Sequence, residues 1–237
     1  MPPHLLPHLL PRLVTVAHGT RDGSGSPVAR ALTQAAGELV GVPATASYVE
    51  LADPLLTDVL AAADRPVVVV PLLLSAGLHV DSDVPEAVAA APVPAALTAA
   101  LGPSPLLADA MCARLRDAGA RPGQPVTMVA AGSRRPGSLD DLATTARMLG
   151  LLWGGPVRIA TLSGLGERPA DVVRAGDAVA PYLLAPGFFA RRCAEEARAA
   201  GATVVADVLG DHPCVVELVA HRAQVGLALA RRAALAA

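Results

Sequence analysis

Two histidines and one glutamate draw attention because each closes an apolar run. His18 follows LVTVA (13–17), Glu50 lies at the end of ATASYVEL (44–51), and His79 follows VVVVPLLL (67–74) across the small-residue turn Ser75-Ala76-Gly77. Neutral imidazole is a common ligand for divalent transition metals. Two imidazoles and a carboxylate can hold such an ion with positions left open for a substrate. The carboxylate can alternatively accept a proton. A lone histidine at a strand end is more often a hydrogen-bonded structural residue, so the weight lies on there being two. Of the aspartates after His79, Asp83 reads as a helix cap and Asp81 as solvent-facing.

The elements that would position these groups alternate regularly. Strands are predicted at 13–17, 44–51, 67–74 and 95–101. Ser26 followed by Pro27 predicts a helix start, with Val28, Leu32, Ala35, Ala36 and Leu39 on its buried face. Asp53-Pro54 predicts a second helix by the same device, and Asp83 a third. Gly102-Pro103-Ser104-Pro105 leads into a helix with Leu107, Met111 and Leu115 along one side. Strands alternating with helices imply β-α-β units and a parallel sheet, whose strands end on one rim. His18, Glu50 and His79 converge there whatever the strand order.

The pattern then restarts after a Gly- and Pro-rich stretch, 118–125. VTMVA (126–130) repeats the first strand, and the 131–138 loop repeats the His18 loop. Ser138 with Asp141 predicts the matching helix, with Leu139, Leu142, Ala146 and Leu149 inward. Further strands are predicted at 157–162, 179–184 and 204–209. Ala185-Pro186-Gly187-Phe188-Phe189 echoes Ser75-Ala76-Gly77-Leu78-His79, and Gly210 echoes Gly102. The chain therefore reads as two copies of one four-stranded unit, 1–120 and 121–237, forming an internal pseudo-dimer in a monomer. His18 becomes Ala131, His79 becomes Phe189, and Glu50 falls opposite Gly164-Leu165 with no clear counterpart. The first copy is expected to carry the chemistry and the second to complete the cleft.

Bulk composition narrows the function. The 237 residues are 53% hydrophobic and 17% charged, which excludes a disordered chain. A net charge of −2 and 2% aromatics argue against a nucleic-acid partner. Cys112, Cys193 and Cys214 are scattered without C-x-x-C, against disulfides, structural zinc and an iron–sulfur cluster; they read as buried free thiols. The Pro-broken amino terminus, with His4 and His8, is read as a tail rather than a signal peptide, and no membrane segment is predicted, which points to the cytoplasm. Gly23-Ser24-Gly25 lacks the third glycine of a dinucleotide fingerprint, Val28 standing there instead, so no nucleotide site is expected. With Arg21 and the following helix start, that loop reads either as a cradle for a carboxylate or phosphate or as a solvated turn. His212, near a helix start, and His221, on an exposed helical face, are assigned no role.

VAHGTRDGSG (16–25), YVELADPLL (48–56), VVVVPLLLSAGLHVDSDVP (67–85) and LGPSPLLADAM (101–111) together resemble the CbiX/SirB family, the class II sirohydrochlorin chelatases. The second half resembles the degenerate repeat of its long members. The resemblance implies two tandem chelatase-like (flavodoxin-like) α/β subdomains, each with a mainly parallel four-stranded sheet flanked by helices. It implies ATP-independent insertion of Fe2+ or Co2+, with Ni2+ also admissible, into sirohydrochlorin or a related tetrapyrrole, for sirohaem or cobalamin. It implies His18 and His79 as metal-handling groups and Glu50 as the acidic position. The His-rich tail and cysteine cluster of some long members are lacking.

Arg21, Ser75, Ala76 and Gly77 are the expected substrate contacts, and Arg134 and Arg135 further candidates for holding carboxylates. Iron is slightly favoured because no cobalt-specific feature is visible. Competing readings are a non-catalytic tetrapyrrole or metal carrier, a His18-dependent phosphatase, against which Ala17 stands where an arginine is needed, and a purely structural paralogue.

Overall fold

The computed structural model describes residues 11–20, 25–75 and 82–236, with side chains through residue 230. Arg21, Ala76, Gly77, His79 and Asp81 lie outside the described residues, as do the amino-terminal tail and Gly23-Ser24.

The first sheet contains β1 (Arg12–Ala17), β2 (Ala44–Tyr48), β3 (Val67–Pro71) and β4 (Ala95–Leu97) in the order β2-β1-β3-β4, all parallel. The second repeats it with β5 (Val126–Ala130), β6 (Val157–Thr161), β7 (Ala178–Tyr182) and β8 (Val204–Val205) in the order β6-β5-β7-β8. β3, VVVVP, is buried at every residue, as a strand covered on both faces must be. Helices α1 (Ser26–Val40), α2 (Leu56–Ala61), α3 (Asp83–Ala89) and α4 (Pro105–Asp117) belong to the first repeat. Helices α5 (Gly137–Trp153), α6 (Pro169–Val172), α7 (Phe188–Ala199) and α8 (Pro213–Ala236) belong to the second. The two-repeat α/β architecture is as the residue pattern predicts.

Several local expectations are corrected. Strands end early: β2 stops at Tyr48 rather than residue 51, β3 at Pro71 rather than 74, and β4 at Leu97 rather than 101. The apolar residues beyond continue as loop, because burial alone does not require a ladder. Ser26 does not cap α1; Gly25 precedes the helix, and Ser26 is its buried first residue. The buried stripe of α1 is Ser26, Ala29, Leu32, Thr33, Ala36 and Gly37, while Leu39 is 64% exposed. Small residues form this face because the helix lies close on the sheet: a Cβ at Gly37 would meet Ala44 Cβ at 2.5 Å. Thr33 and Thr15 share a hydroxyl–hydroxyl hydrogen bond of 2.5 Å beneath it. Asp53-Pro54 does not open α2, which starts at Leu56. Asp83 is the first residue inside α3, with Ser82 Oγ donating to its carboxylate at 3.0 Å. Cys112 and Cys193 are buried, but Cys214 is only half-buried. Burial raises both buried thiols, Cys193 to about 12, so neither offers a thiolate near neutrality.

The packing units cut across the sequence repeat at 120/121. The first unit gathers β1–β4 and α1–α3 with α8 from Val216 onward; the second gathers α4, β5–β8 and α5–α7, with Leu74. Paired arginines mark the exchange. Arg114 of α4 donates to the Leu209 carbonyl at 3.0 Å, and Arg222 of α8, 108 residues later, donates to the Ala100 carbonyl at 3.1 Å. In the first unit α8 lies so close that a Cβ at Gly226 would meet Val68 Cγ1 at 2.3 Å.

Asp177 is the charged residue buried deepest among the described residues, at 1% exposure. It accepts from Thr127 Oγ1 at 3.1 Å and the Arg174 N–H at 2.8 Å, and pairs with Arg158. It precedes β7, at the edge opposite the strands' carboxyl ends. Asp177→Ala strands three donors and should lower unfolding stability by about 3 kcal/mol in denaturant titrations.

His212 accepts the Cys214 N–H on Nδ1 at 3.2 Å, just before α8. Burial and then the nearby Arg114 guanidinium lower its pKa, with Asp117 opposing. A folded pKa below that of the unfolded chain favours the neutral ring. Its contribution is therefore fully present above about pH 6.5 and is lost as pH falls through the folded value. The thermal midpoint should drop on acidification through this window, and His212→Asn should flatten that drop.

Candidate active site

His18 follows β1 and Glu50 follows β2, on adjacent parallel strands. The ladder runs on past the strand ends: the Val49 N–H donates to Ala17 O at 2.9 Å and the Glu50 N–H to His18 O at 3.1 Å. This register brings His18 Nε2 and Glu50 Oε1 to 3.7 Å, with the side chains 49% and 50% exposed. The separation exceeds a hydrogen bond, and both groups are open to solvent. β1 lies between β2 and β3, where the chain reverses direction across the sheet and open α/β sheets place ligands.

The loop carrying Glu50 is closed at its base, the Tyr48 N–H donating to Pro54 O at 3.0 Å. Tyr48 is buried, and its hydroxyl donates to Ser26 O at 3.4 Å, tying β2 to the start of α1. The loop also rests on Gly19, whose φ is +98°; a Cβ there would lie 1.8 Å from Glu50 O. Only glycine permits both the left-handed backbone and this approach. Leu51, next to Glu50, has φ +64°, the described non-glycine residue that enters the left-handed region. Such a conformation costs about 1–2 kcal/mol. Here it sits beside Glu50, the carboxylate facing His18; strain of this kind is commonly held at functional sites.

The second unit has the same backbone without the histidine and the carboxylate. The Leu162 N–H donates to Ala130 O at 2.9 Å, Gly132 has φ +90°, and a Cβ on it would lie 1.9 Å from Ser163 O. Ser163 is therefore the counterpart of Glu50, not Gly164-Leu165 as the sequence comparison alone placed it. The offset is 113, the same as from His18 to Ala131. Ser163 Oγ donates to Ala131 O at 2.7 Å. Gly164, at φ +65°, stands where the first unit has Leu51.

Sequence reasoning missed Gly19 and Leu51. The signal for Gly19 was present, since Gly132 persists in the copy that lost the histidine. Ser75 is half-buried in the loop after β3. The other expected site residues, His79, Arg21, Ala76 and Gly77, lie outside the described residues. Among the described residues, no three His, Cys, Asp or Glu side chains gather as a metal-ligand set. No described helix is long and apolar enough to cross a membrane. Two clefts lie away from this rim: one of about 390 Å³ in the second unit near Arg114 and Arg198, and one of about 680 Å³ beside α1 and β2. Neither includes His18 or Glu50.

A duplicated 2-1-3-4 parallel sheet with an imidazole and a carboxylate on the first copy's rim defines a two-repeat α/β protein of the chelatase fold. Residues 12–118 match the CbiX family model. In fold the chain is similar to SirB from Bacillus subtilis with Fe3+, at 22% identity and a TM-score of 0.76 over 93% of this chain and 96% of that one. It is similar to the sirohydrochlorin chelatase SirB from Bacillus subtilis subspecies spizizenii in complex with cobalt, at 21% identity and a TM-score of 0.75 over 92% and 96%. It is also similar to CbiX, described as the terminal enzyme for biosynthesis of siroheme in denitrifying bacteria, at 18% identity and a TM-score of 0.67 over 91% and 99%. No curated protein matches it by sequence.

Proposed function

We propose that the chain is a sirohydrochlorin chelatase, inserting Fe2+ or Co2+ into the macrocycle without ATP, with the chemistry in the first repeat. The observation that carries this reading is the His18–Glu50 pair, 3.7 Å apart and half-exposed on the rim of the segment that matches the CbiX family model. The SirB structures with Fe3+ and with cobalt support a site that accepts either metal.

The geometry suits the task. Two bonds of about 2.1 Å, one from the imidazole nitrogen and one from the carboxylate oxygen, would meet at a metal with an angle of roughly 120°. An incomplete ligand set is an advantage, since the metal is a substrate and must leave for the macrocycle. Insertion also requires two pyrrolic protons to be removed, and either His18 or Glu50 can accept one. His79, carried over from the family resemblance, would supply the second imidazole. Arg21 would take a macrocycle carboxylate through charge-assisted hydrogen bonds.

The test is spectroscopic. Sirohydrochlorin is mixed with Fe2+, Co2+ or Ni2+ and catalytic amounts of protein, and metal insertion is followed by the change in the macrocycle's visible absorption. Multiple turnovers with the wild type support the enzyme. One equivalent of metal or tetrapyrrole held without turnover would make it a carrier. The metal giving the highest kcat/KM decides between iron and cobalt.

A further inference from the structure

The last residue of β7 carries a hydroxyl that its sister position in the first repeat lacks. β3 and β7 share one register, Val16 lying opposite Pro71 and Val129 opposite Pro181. Tyr182 is therefore the counterpart of Leu72. Both are buried, at 3% exposure. The added hydroxyl donates to the Leu74 carbonyl at 2.7 Å, from 108 residues away in the chain. Leu74 packs with the second unit, although β3, which leads into it, belongs to the first.

The same carbonyl is approached from a second side. A Cβ on Gly102 would lie 2.0 Å from Leu74 O and 2.2 Å from Tyr182 Oη, so the corner has room only for glycine. The matching corner of the second repeat is closed by backbone: the Gly210 N–H donates to Leu184 O at 2.8 Å. Burial raises the phenol's pKa, Thr145 opposing and the Asp141 charge adding, so the hydroxyl stays a donor throughout the neutral range. A buried phenol needs a partner, and here its partner is a loop carbonyl. Leu74 is the third residue past β3, and Ser75, an expected substrate contact, follows it. β3 is itself paired with β1, whose end carries His18.

We propose that Tyr182 is a positioning residue for metal insertion, fixing the Leu74 carbonyl and through it the path by which the chain leaves β3 at Ser75. It touches no reacting atom. The repeat without the histidines thereby sets a loop of the repeat that carries the chemistry. This rests on the proposed function for the reaction that is measured.

The test compares two hydroxyl-to-carbonyl bonds of equal length. Tyr182→Phe removes the donor to Leu74 O and keeps the ring. Ser163→Ala removes the donor to Ala131 O, also at 2.7 Å, in the loop after β6. Steady-state insertion is followed with sirohydrochlorin and metal varied in turn. Tyr182→Phe should raise the KM for sirohydrochlorin about fivefold or more. The KM for the metal should stay within about twofold, since the β1–β2 ladder sets His18 and Glu50. Gly102→Ala, pressing on the same carbonyl, should raise the same KM. Ser163→Ala should keep both constants at wild-type values. Loss of folded protein alone lowers apparent kcat and leaves KM unmoved, so the KM shift separates positioning from stability. A wild-type KM for sirohydrochlorin in Tyr182→Phe overturns the inference, as does an equal rise in Ser163→Ala; in either case a wild type that turns over leaves the proposed function standing. A wild-type chain that inserts no metal overturns both.

Discussion

His18→Ala should lower the rate of metal insertion at least about a hundredfold, because it removes a group that can either hold the metal or take a pyrrolic proton. The side chain is half-exposed and closes a strand whose core residues, Leu13, Val14 and Val16, are buried without it. The loss should therefore appear in activity with little change in the unfolding midpoint. Initial rates at saturating sirohydrochlorin and metal read the effect directly. His221→Ala, on the exposed face of α8, is the control and should insert metal at the wild-type rate. Glu50→Gln separates the two roles of the carboxylate. An amide oxygen can still touch a metal but cannot accept a proton, so a proton-accepting Glu50 loses the acidic limb of the pH–rate profile in this variant. A ligating Glu50 shows instead a raised KM for the metal. A wild-type rate in His18→Ala would remove the basis of the proposed function.

Gly19→Ala should both destabilise the protein and abolish insertion, whereas Gly132→Ala should only destabilise it. The two glycines are matched: φ is +98° and +90°, and a Cβ would lie 1.8 Å from Glu50 O in one case and 1.9 Å from Ser163 O in the other. Each substitution forces a left-handed alanine and pushes a loop away from its neighbour, at a cost of at least about 2 kcal/mol. Thermal or denaturant unfolding should show similar losses for both. The displaced loop carries the carboxylate that faces His18 in the first unit and a serine bonded to a backbone carbonyl in the second. Insertion rates per folded molecule should therefore separate them by more than tenfold, since small misplacements of catalytic groups are expensive. Equal activity in the two variants would mean that Glu50's position does not matter.

The pair formed by Glu50 and Ser163 shows where reading the chain stops short. Aligning the halves by residue type put Glu50 opposite Gly164-Leu165, because glutamate and serine share no chemistry and the local apolar pattern tolerates a one-residue slip. Backbone hydrogen bonds do not tolerate it: Val49 to Ala17 and Leu162 to Ala130 are the same bond in two copies. The α1 face slipped for a related reason. Leu39 looked inward by hydrophobicity, yet Gly37 and Ala36 face the sheet, because close approach to β2 selects for small size over apolarity.

The residue pattern by itself determined the α/β class, the duplication, the parallel sheets and the pairing of His18 with Glu50 on one rim. It could do so because strand period, helix period and strand ends are local properties, and parallel strands necessarily finish on the same side. Tertiary structure alone decided the 3.7 Å between the two side chains, the glycine that seats one loop on the next, and the left-handed Leu51. It alone decided that α4 packs with the second sheet and α8 with the first. A helix buries the same apolar stripe against either of two equivalent sheets, so its sequence is indifferent to which one receives it. Only chain connectivity and packing in three dimensions choose.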